Sequence, residues 1–171
     1  MRFDTIPDAE LGPQLLGLTR SDTWVTRLIA GRPYGDLESL LAESDRIILS
    51  LTEAGIDETL AGHPRIGEKA GASLGKDEAA RSSSEQAGMS AADAELKTAM
   101  ARGNEEYEAR FGRIYLVAAA GRSAEELLAI LQSRLGNDPA EELQIVKENL
   151  AKITRLRLTS AFGSAATEEG T

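Results

Sequence analysis

The chain contains a single histidine, His63, and the residue types around it are unusual. The segment from Gly62 to Lys69 reads Gly-His-Pro-Arg-Ile-Gly-Glu-Lys, so the imidazole is flanked by proline, glycine and charge rather than by an apolar helix face. An unperturbed imidazole titrates at a pKa of about 6.5 and can donate and accept a proton without strong tuning. His63 is therefore the first candidate for acid-base chemistry, and a histidine that merely caps a helix near Pro64 is the alternative.

A second candidate lies in the last predicted helix. Its apolar series through Leu150 and Ile153 continues after four residues to Arg157, which therefore takes a core-facing position. Arg155 projects to nearly the opposite side, because each helical residue turns by about 100°. Burying an unpaired ion is costly. Arg157 is either an anion-binding residue that lines a pocket or an arginine whose stem packs while its charged end reaches water.

Two polar stretches suggest function on composition alone. The segment from Gly71 to Asp77 superficially suggests a phosphate-binding loop, but it is one residue short, and Asp77 replaces the hydroxyl residue that would hold magnesium. Nucleotide binding is not expected there. The segment from Ser82 to Gln86 reads Ser-Ser-Ser-Glu-Gln and, taken by itself, predicts a polar loop or a helix cap.

Composition narrows the class of protein. A chain of 171 residues with 42% hydrophobic residues fits one domain with a sizeable core. Zero cysteines exclude disulfides, thiolate nucleophiles and cysteine-ligated metals, and the composition argues against a metalloenzyme. A net charge of -9 disfavours binding to nucleic acid and to anionic membranes. No apolar run has the length of a signal peptide or a membrane span, so we expect a cytoplasmic protein.

Hydrophobic periodicity predicts an all-helical bundle in a single domain over residues 1–171. The first predicted helix begins at the Ser21 cap and ends at Gly31. A long amphipathic helix follows from Leu37, with Gly55 at the position of a left-handed C-terminal cap.

Three more predicted helices follow in the second half of the chain. They begin after Ser90, at a capping box formed by Ser123 and Glu126, and at Asp138. The apolar segment from Ile114 to Ala120 is predicted to be an extended strand or a loop.

Two stretches lack periodicity. Residues 68–89 are rich in glycine, serine, alanine and charge, which predicts a long polar loop. Residues 163–171 are small and acidic, which predicts a frayed tail.

Four ordered motifs together resemble one known family. They are HPRIG at 63–67, SSSEQAGM at 82–89, FGRIYLVAAAGRS at 111–123 and RLRL at 155–158. Over nearly its whole length the chain resembles the 2-oxo-4-hydroxy-4-carboxy-5-ureidoimidazoline (OHCU) decarboxylases. The resemblance implies an all-helical lyase of purine metabolism that needs no cofactor or metal. Such a lyase converts its anionic substrate to (S)-allantoin and CO2 during urate degradation, and tends to form homodimers.

The resemblance also implies roles for individual residues. His63 corresponds to the catalytic histidine, Glu85 to its acidic partner, Gln86 to a substrate-binding amide and Arg157 to the arginine that holds the substrate. The remaining pocket residues that it implies are Pro64, Ser82, Ser83 and Ser84, and the backbone of Tyr115, Leu116, Val117, Ala118 and Ala119. The run of alanines at 118–120 departs from the cysteine-containing sequence common in relatives, which matters little if this segment contributes backbone groups.

Two other interpretations stay open at the level of sequence. One is a noncatalytic helical binding module, in which Arg157 pairs with an internal carboxylate. The other is a cofactor-free lyase that acts on a different ureido acid. Formation of (S)-allantoin by the purified protein would separate them from the predicted decarboxylase.

Overall fold

A computed structural model describes residues 1–66 and 94–163. Within these ranges the chain forms helices and no strand, which confirms the predicted all-α class. The predicted polar loop at 68–89 and the predicted tail beyond residue 163 lie outside the described residues. The helices, in chain order, are α1 (Arg2–Thr5), α2 (Asp8–Thr19), α3 (Asp22–Ala30), α4 (Leu37–Ser50), α5 (Glu53–Leu60), α6 (Ala94–Phe111), α7 (Ala124–Arg134) and α8 (Pro139–Phe162).

The chain divides into two compact units. The first comprises residues 1–59 together with the C-terminal part of the chain from Leu150, and the second runs from Leu60 to Asn149. The single domain expected from length and composition stays a prediction.

The first unit has a core built around a fully buried tryptophan on α3. The indole N–H of Trp24 donates to the hydroxyl of Ser44 on α4 at 3.1 Å, so its one polar atom is satisfied. Ser21 caps α3, as predicted, by accepting a hydrogen bond from the amide of Trp24. The ring of Phe3 on α1 meets that of Phe162 on α8 edge to face, with ring centroids 5.1 Å apart. Aromatic packing therefore joins α1 to the end of α8.

Helices α1 and α2 have no counterpart among the helices predicted from the sequence. Helix α2 contains Gly12 and Pro13, two residues that lower intrinsic helix propensity, and this masks its apolar pattern. Leu11, Leu15 and Leu18 are nevertheless buried at helical spacing. Tertiary packing of that face compensates for the weak local propensity.

The prediction that Gly55 caps a long helix is wrong. Helix α4 ends at Ser50, and Leu51 has an extended backbone with φ -61° and ψ 145°. The hydroxyl of Thr52 then accepts a hydrogen bond from the amide of Gly55 at 3.2 Å. Gly55 therefore lies in the first turn of a new helix, α5, because a threonine cap starts that helix before the glycine is reached.

The second unit has its own hydrophobic core between α6 and α7. Tyr107 on α6 lies against Tyr115 with ring centroids 5.4 Å apart and against Phe111 at 4.7 Å. Leu127 and Leu131 of α7 are fully buried in the same cluster. Several of the predicted site residues of this unit pack in this core.

Helix α7 begins at the predicted capping box. The hydroxyl of Ser123 accepts a hydrogen bond from the amide of Glu126 at 3.2 Å, and the carboxylate of Glu126 accepts one from the amide of Ser123 at 2.7 Å. Two backbone donors at the helix start are thereby satisfied, which confirms the prediction.

Replacing Ser123 with Ala should lower the free energy of unfolding by about 1 kcal/mol, because one amide at the start of α7 loses its acceptor. Urea denaturation followed by circular dichroism measures the change. The control is Ser133→Ala in the same helix, where the exposed hydroxyl donates to the carbonyl of Ile130 and caps nothing. An equal loss of stability in the two variants would contradict the capping assignment.

The longest of the described helices, α8, spans 24 residues. It begins at Pro139 as predicted, and the carboxylate of Asp138 accepts a hydrogen bond from the amide of Ala140 at 2.9 Å. In the part of the chain that the structure describes, neither α8 nor any other helix combines the length and the apolar character needed to cross a membrane.

Candidate active site

His63 lies in the turn that directly follows α5. Its peptide N–H donates to the carbonyl of Leu60 at 2.9 Å, which holds the turn through the backbone. The side chains of His63 and Pro64 are half-buried. The imidazole is thus partly shielded from water, and the backbone that carries it is held by a peptide hydrogen bond.

Helix α6 fixes the residues that follow the histidine. The guanidinium of Arg65 forms an ion pair with Glu108, with one of its two hydrogen bonds at 2.8 Å. The side-chain amide of Asn104 donates to the carbonyl of Ile66 at 3.0 Å, and the Ile66 side chain is buried in the core of the second unit. The hydrogen bond of Arg65 lowers the pKa of the Glu108 carboxyl. The turn that carries His63 is therefore attached to a rigid element on its C-terminal side.

Residues 114–119 form neither helix nor strand, which confirms the predicted short apolar segment and identifies it as a loop. The side chains of Tyr115, Val117 and Ala119 all belong to the same core cluster as Ile66. This alternation is that of an extended chain. The HPRI turn and the 114–119 segment are consequently supported by one hydrophobic core.

The side chain of Tyr115 has a structural role. Its hydroxyl donates to the carbonyl of Leu127 at 3.1 Å, and burial raises its pKa. The side chains of Leu116 and Val117 are buried as well. For Tyr115, Leu116 and Val117, contact with a ligand is therefore left to the backbone, as the resemblance implies.

The backbone groups on the two edges of the 114–119 segment differ in their hydrogen-bond partners. The carbonyl of Leu116 accepts a hydrogen bond from Arg134 at 2.8 Å, and the amide of Ala118 donates to the side chain of Asn149 at 2.9 Å. In an extended chain, groups of alternate residues point to opposite edges. The amides of Val117 and Ala119 point the other way and have no acceptor among residues 1–66 and 94–163. These two residues are only 4% and 3% exposed.

Arg157 is buried, with 9% of its surface exposed, and its guanidinium donates to the carbonyl of Leu18 at 2.6 Å. That carbonyl lies in the last turn of α2, where a cationic group is favourable because helix carbonyls there lack intrahelical donors. The inward position predicted from helical phase is confirmed. Arg155 faces the other way and forms ion pairs with Glu38 at 3.0 Å and Asp45 at 3.3 Å.

The remaining site predictions are not covered by the structure. Ser82, Ser83, Ser84, Glu85 and Gln86 lie outside the described residues, as does the segment at 71–77. Their predicted roles stay predictions.

The predicted site residues that are described fall into both compact units. His63 and the 114–119 segment belong to the second unit, and Arg157 belongs to the first. Among the described side chains, no group of three or more histidine, aspartate and glutamate residues lies close enough to hold a metal ion.

Sequence reasoning missed a buried ion pair between Arg134 and Glu142. Both side chains are nearly inaccessible, at 6% and 0% exposure. One oxygen of Glu142 accepts from the guanidinium at 2.5 and 2.8 Å and also from the hydroxyl of Tyr107, and the other accepts from Asn137 at 2.9 Å. A buried carboxylate requires such a full set of hydrogen bonds.

The aromatic rings of the core complete the surroundings of Arg134. Its guanidinium carbon lies 5.0 Å from the centroid of the Tyr115 ring and 5.7 Å from that of Tyr107. Burial lowers the pKa of the guanidinium, but the hydrogen bonds to Glu142 and the electrostatic effects of Tyr107, Glu142 and Tyr115 together outweigh this and raise the pKa overall. Burial, together with the hydrogen bond to Glu142, raises the pKa of Tyr107. Arg134 therefore stays charged in the core.

Together, the helical fold and the half-buried side chain of the only histidine define an all-α protein with a candidate acid-base group. The family model for OHCU decarboxylase matches residues 4–159. The chain therefore belongs to the OHCU decarboxylase family and is a decarboxylase.

Relatives of known name support this membership. The chain is 35% identical to the 2-oxo-4-hydroxy-4-carboxy-5-ureidoimidazoline decarboxylase of Amia calva over 141 residues, covering 81% of this chain and 79% of that one. It is 36% identical over 110 residues to the uric acid degradation bifunctional protein TTL of Arabidopsis thaliana, covering 64% of this chain and 34% of that longer protein.

Solved structures share the fold. A crystal structure of OHCU decarboxylase in the presence of (S)-allantoin superposes with a TM-score of 0.75 at 22% identity, covering 88% of this chain and 98% of that one. A crystal structure of (S)-allantoin synthase gives a TM-score of 0.63 at 20% identity, covering 93% and 52%. At such identities the likeness concerns the fold.

Proposed function

We propose that this chain converts OHCU to (S)-allantoin and CO2 in urate degradation. The observation that carries the proposal is the family match over residues 4–159. The placement of the only histidine supports it, since that residue lies in the HPRIG motif and in a half-buried turn.

The reaction needs a proton to move and an electron pair to be stabilised. The bond between the ring carbon and its carboxylate breaks, and the electron pair is accepted by the adjacent imine of the ring. The hydroxyl on the reacting carbon loses its proton and becomes the carbonyl of the product, while the neighbouring carbon gains one proton and the former imine nitrogen gains another from solvent. The substrate itself accepts the electron pair.

In this proposal His63 takes the proton of the substrate hydroxyl. A neutral imidazole suits this step because it accepts a proton near neutral pH. Glu85 fixes the orientation of the imidazole and its protonation, which is a role the family resemblance implies. Return of the proton to one face of the ring sets the handedness of the product.

Acid-base catalysis supplies only about 10²- to 10⁴-fold, so the site must also orient the substrate. We assign orientation to Arg157, to Gln86 and to the amides of Val117 and Ala119. A buried amide without a partner is unfavourable, and a substrate oxygen would satisfy it. Peptide donors aimed at developing negative charge are each worth about 10²- to 10³-fold in kcat in other enzymes.

Three further attributes belong to the proposal and rest on sequence or resemblance. They are a cytoplasmic location, a homodimer, and the lack of nucleic-acid or membrane partners. The net charge of -9 supports the last of them.

The decisive assay supplies freshly generated OHCU to purified protein and follows both its disappearance and the optical activity of the allantoin that forms. We expect enzyme-dependent loss of substrate and optically active (S)-allantoin. Racemic allantoin at the uncatalysed rate would overturn the proposal and favour the noncatalytic interpretation.

A further inference from the structure

We infer that Arg134 and Asn149 are positioning residues for the decarboxylation, because together they hold the edge of the 114–119 segment that lies opposite the amides of Val117 and Ala119. The inference rests on the proposed function, in which those amides contact the substrate. Neither Arg134 nor Asn149 touches the substrate in this scheme.

Arg134 acts as a bridge between a buried carboxylate and the segment. Its Nε and Nη2 atoms donate to Glu142, while its Nη1 atom donates to the carbonyl of Leu116 at 2.8 Å. A guanidinium presents its donors in a rigid planar fork, so fixing two of them on Glu142 fixes the direction of the third. The position of Leu116 is therefore set by the ion pair.

Asn149 supplies the second anchor, two residues further along the segment. Its side-chain oxygen accepts a hydrogen bond from the amide of Ala118 at 2.9 Å, and its side-chain nitrogen donates to the carbonyl of Ile145 within α8. The acceptor is thus held by its own helix. Leu116 and Ala118 are bound on one edge, and the amides of Val117 and Ala119 are turned toward the other.

The anchoring of the segment gives a reason for the buried ion pair between Arg134 and Glu142. A buried ion pair is often no more stabilising than a well-packed apolar pair, so stability alone is a weak reason for Arg134 and Glu142 to be buried. A loop has no ladder of hydrogen bonds to set its register. The two anchors contribute this for the 114–119 segment, and the amides of Val117 and Ala119 on its opposite edge become preorganised donors.

Three variants test the inference. Arg134→Lys keeps the charge but lacks the fork that reaches Glu142 and Leu116 together. Asn149→Leu removes the acceptor for the Ala118 amide. Asn149 is half-buried on α8, so a leucine of similar size is tolerated there. Tyr107→Phe is the matched control. It removes the hydroxyl that donates to Glu142 and accepts from Nη2 of Arg134 at 3.4 Å, and it leaves the bonds of Arg134 to Glu142 and Leu116 and of Asn149 to Ala118 in place.

We expect Arg134→Lys and Asn149→Leu to lower kcat/KM for OHCU by about 10- to 100-fold, as small misplacements of binding groups do. The optical purity of the allantoin should fall in both variants. Tyr107→Phe should lower the melting temperature and leave kcat and KM near the wild-type values. All assays are run well below the melting temperature of each variant, measured by circular dichroism.

Two results would overturn the inference. One is a folded Asn149→Leu variant with wild-type kcat and KM, which decides the matter even if Arg134→Lys does not fold. The other is a loss of activity in Tyr107→Phe as large as that in Arg134→Lys, because general loosening of the cluster would then explain both.

Failure of the proposed function gives a different pattern. If the wild-type protein forms no (S)-allantoin, the proposed reaction is wrong. Amide hydrogen exchange would still test whether Arg134 and Asn149 anchor the segment. Exchange at Val117, Ala118 and Ala119 should be faster in Asn149→Leu than in wild type or Tyr107→Phe. Equal exchange in all three proteins would refute the anchoring role independently of activity.

Discussion

Replacing His63 with Asn should lower kcat for OHCU by about 10²- to 10⁴-fold, the range that positioned general acid-base catalysis supplies. The turn should survive the change, because the hydrogen bond that holds it comes from the peptide N–H of residue 63 rather than from the ring. Steady-state kinetics with freshly generated substrate measures the loss. Circular dichroism verifies that the variant is folded.

The matched control is Arg65→Gln, two residues further along the same turn. It breaks the ion pair between Arg65 and Glu108, which is partly exposed and of small energetic value, while the imidazole stays in place. We expect kcat to change by no more than a few-fold. A loss as large as that of His63→Asn would mean that disturbance of the turn, and not removal of the base, stops the reaction.

The pH profile adds an independent test of the same assignment. If a neutral imidazole takes the substrate proton, kcat/KM of the wild-type enzyme falls as the pH is lowered and the ring becomes protonated. His63→Asn should lose this acidic limb, since no other histidine exists in the chain. Persistence of the limb in the variant would assign it to a different group and contradict the role of His63.

Much of the helical framework follows from local rules. The caps at Ser21 and Ser123 and the start at Asp138 were predicted within a residue, because each depends on a side chain that bonds to an amide two or three positions away. Gly55 shows the limit of this reasoning. A glycine is compatible with a helix end, but Thr52 caps the next helix, so Gly55 lies inside that helix and not at the end of α4.

The buried arginines show what helical phase can and cannot predict. The step of four residues from Ile153 to Arg157 identified an inward cation, and a step of three residues from Leu131, also on one helix face, leads to Arg134. Glu142 likewise precedes the buried Val146 by four residues. The signal was thus present on both helices. What the sequence could not supply was the pairing, because α7 and α8 carry no local rule that brings these two charges together.

The proposed site residues were predictable in different degrees. His63 is conspicuous by its uniqueness and its neighbours, whereas the segment at 114–119 is proposed to contribute backbone groups, which leave no residue-type signature. Only its apolar run marked it, and the resemblance gave it a role. Backbone sites of this kind are recognised by the partners that their edges have or lack, which only coordinates show.

Replacing Arg157 with Lys should raise KM for OHCU by about 10- to 100-fold, with a smaller effect on kcat. A hydrogen bond to a charged group contributes about 1.5 to 3 kcal/mol, and a lysine lacks the planar fork that matches a carboxylate. Lysine is preferable to alanine as the test, because the guanidinium also binds the carbonyl of Leu18 and its complete removal would weaken the end of α2. Steady-state kinetics and thermal unfolding together separate binding from stability.

Arg155→Lys is the matched control for this prediction, since it makes the same chemical change two residues away on the opposite face of α8. Arg155 pairs with Glu38 and Asp45 on α4, and burial already raises the pKa of the Asp45 carboxyl despite this cation. The control should therefore alter stability by at most about 1 kcal/mol and leave KM unchanged. If the two variants raise KM equally, the effect comes from loss of an arginine near the C-terminus and not from an inward substrate-binding group. If neither raises KM, the buried guanidinium has a structural role, and another cation must hold the substrate carboxylate.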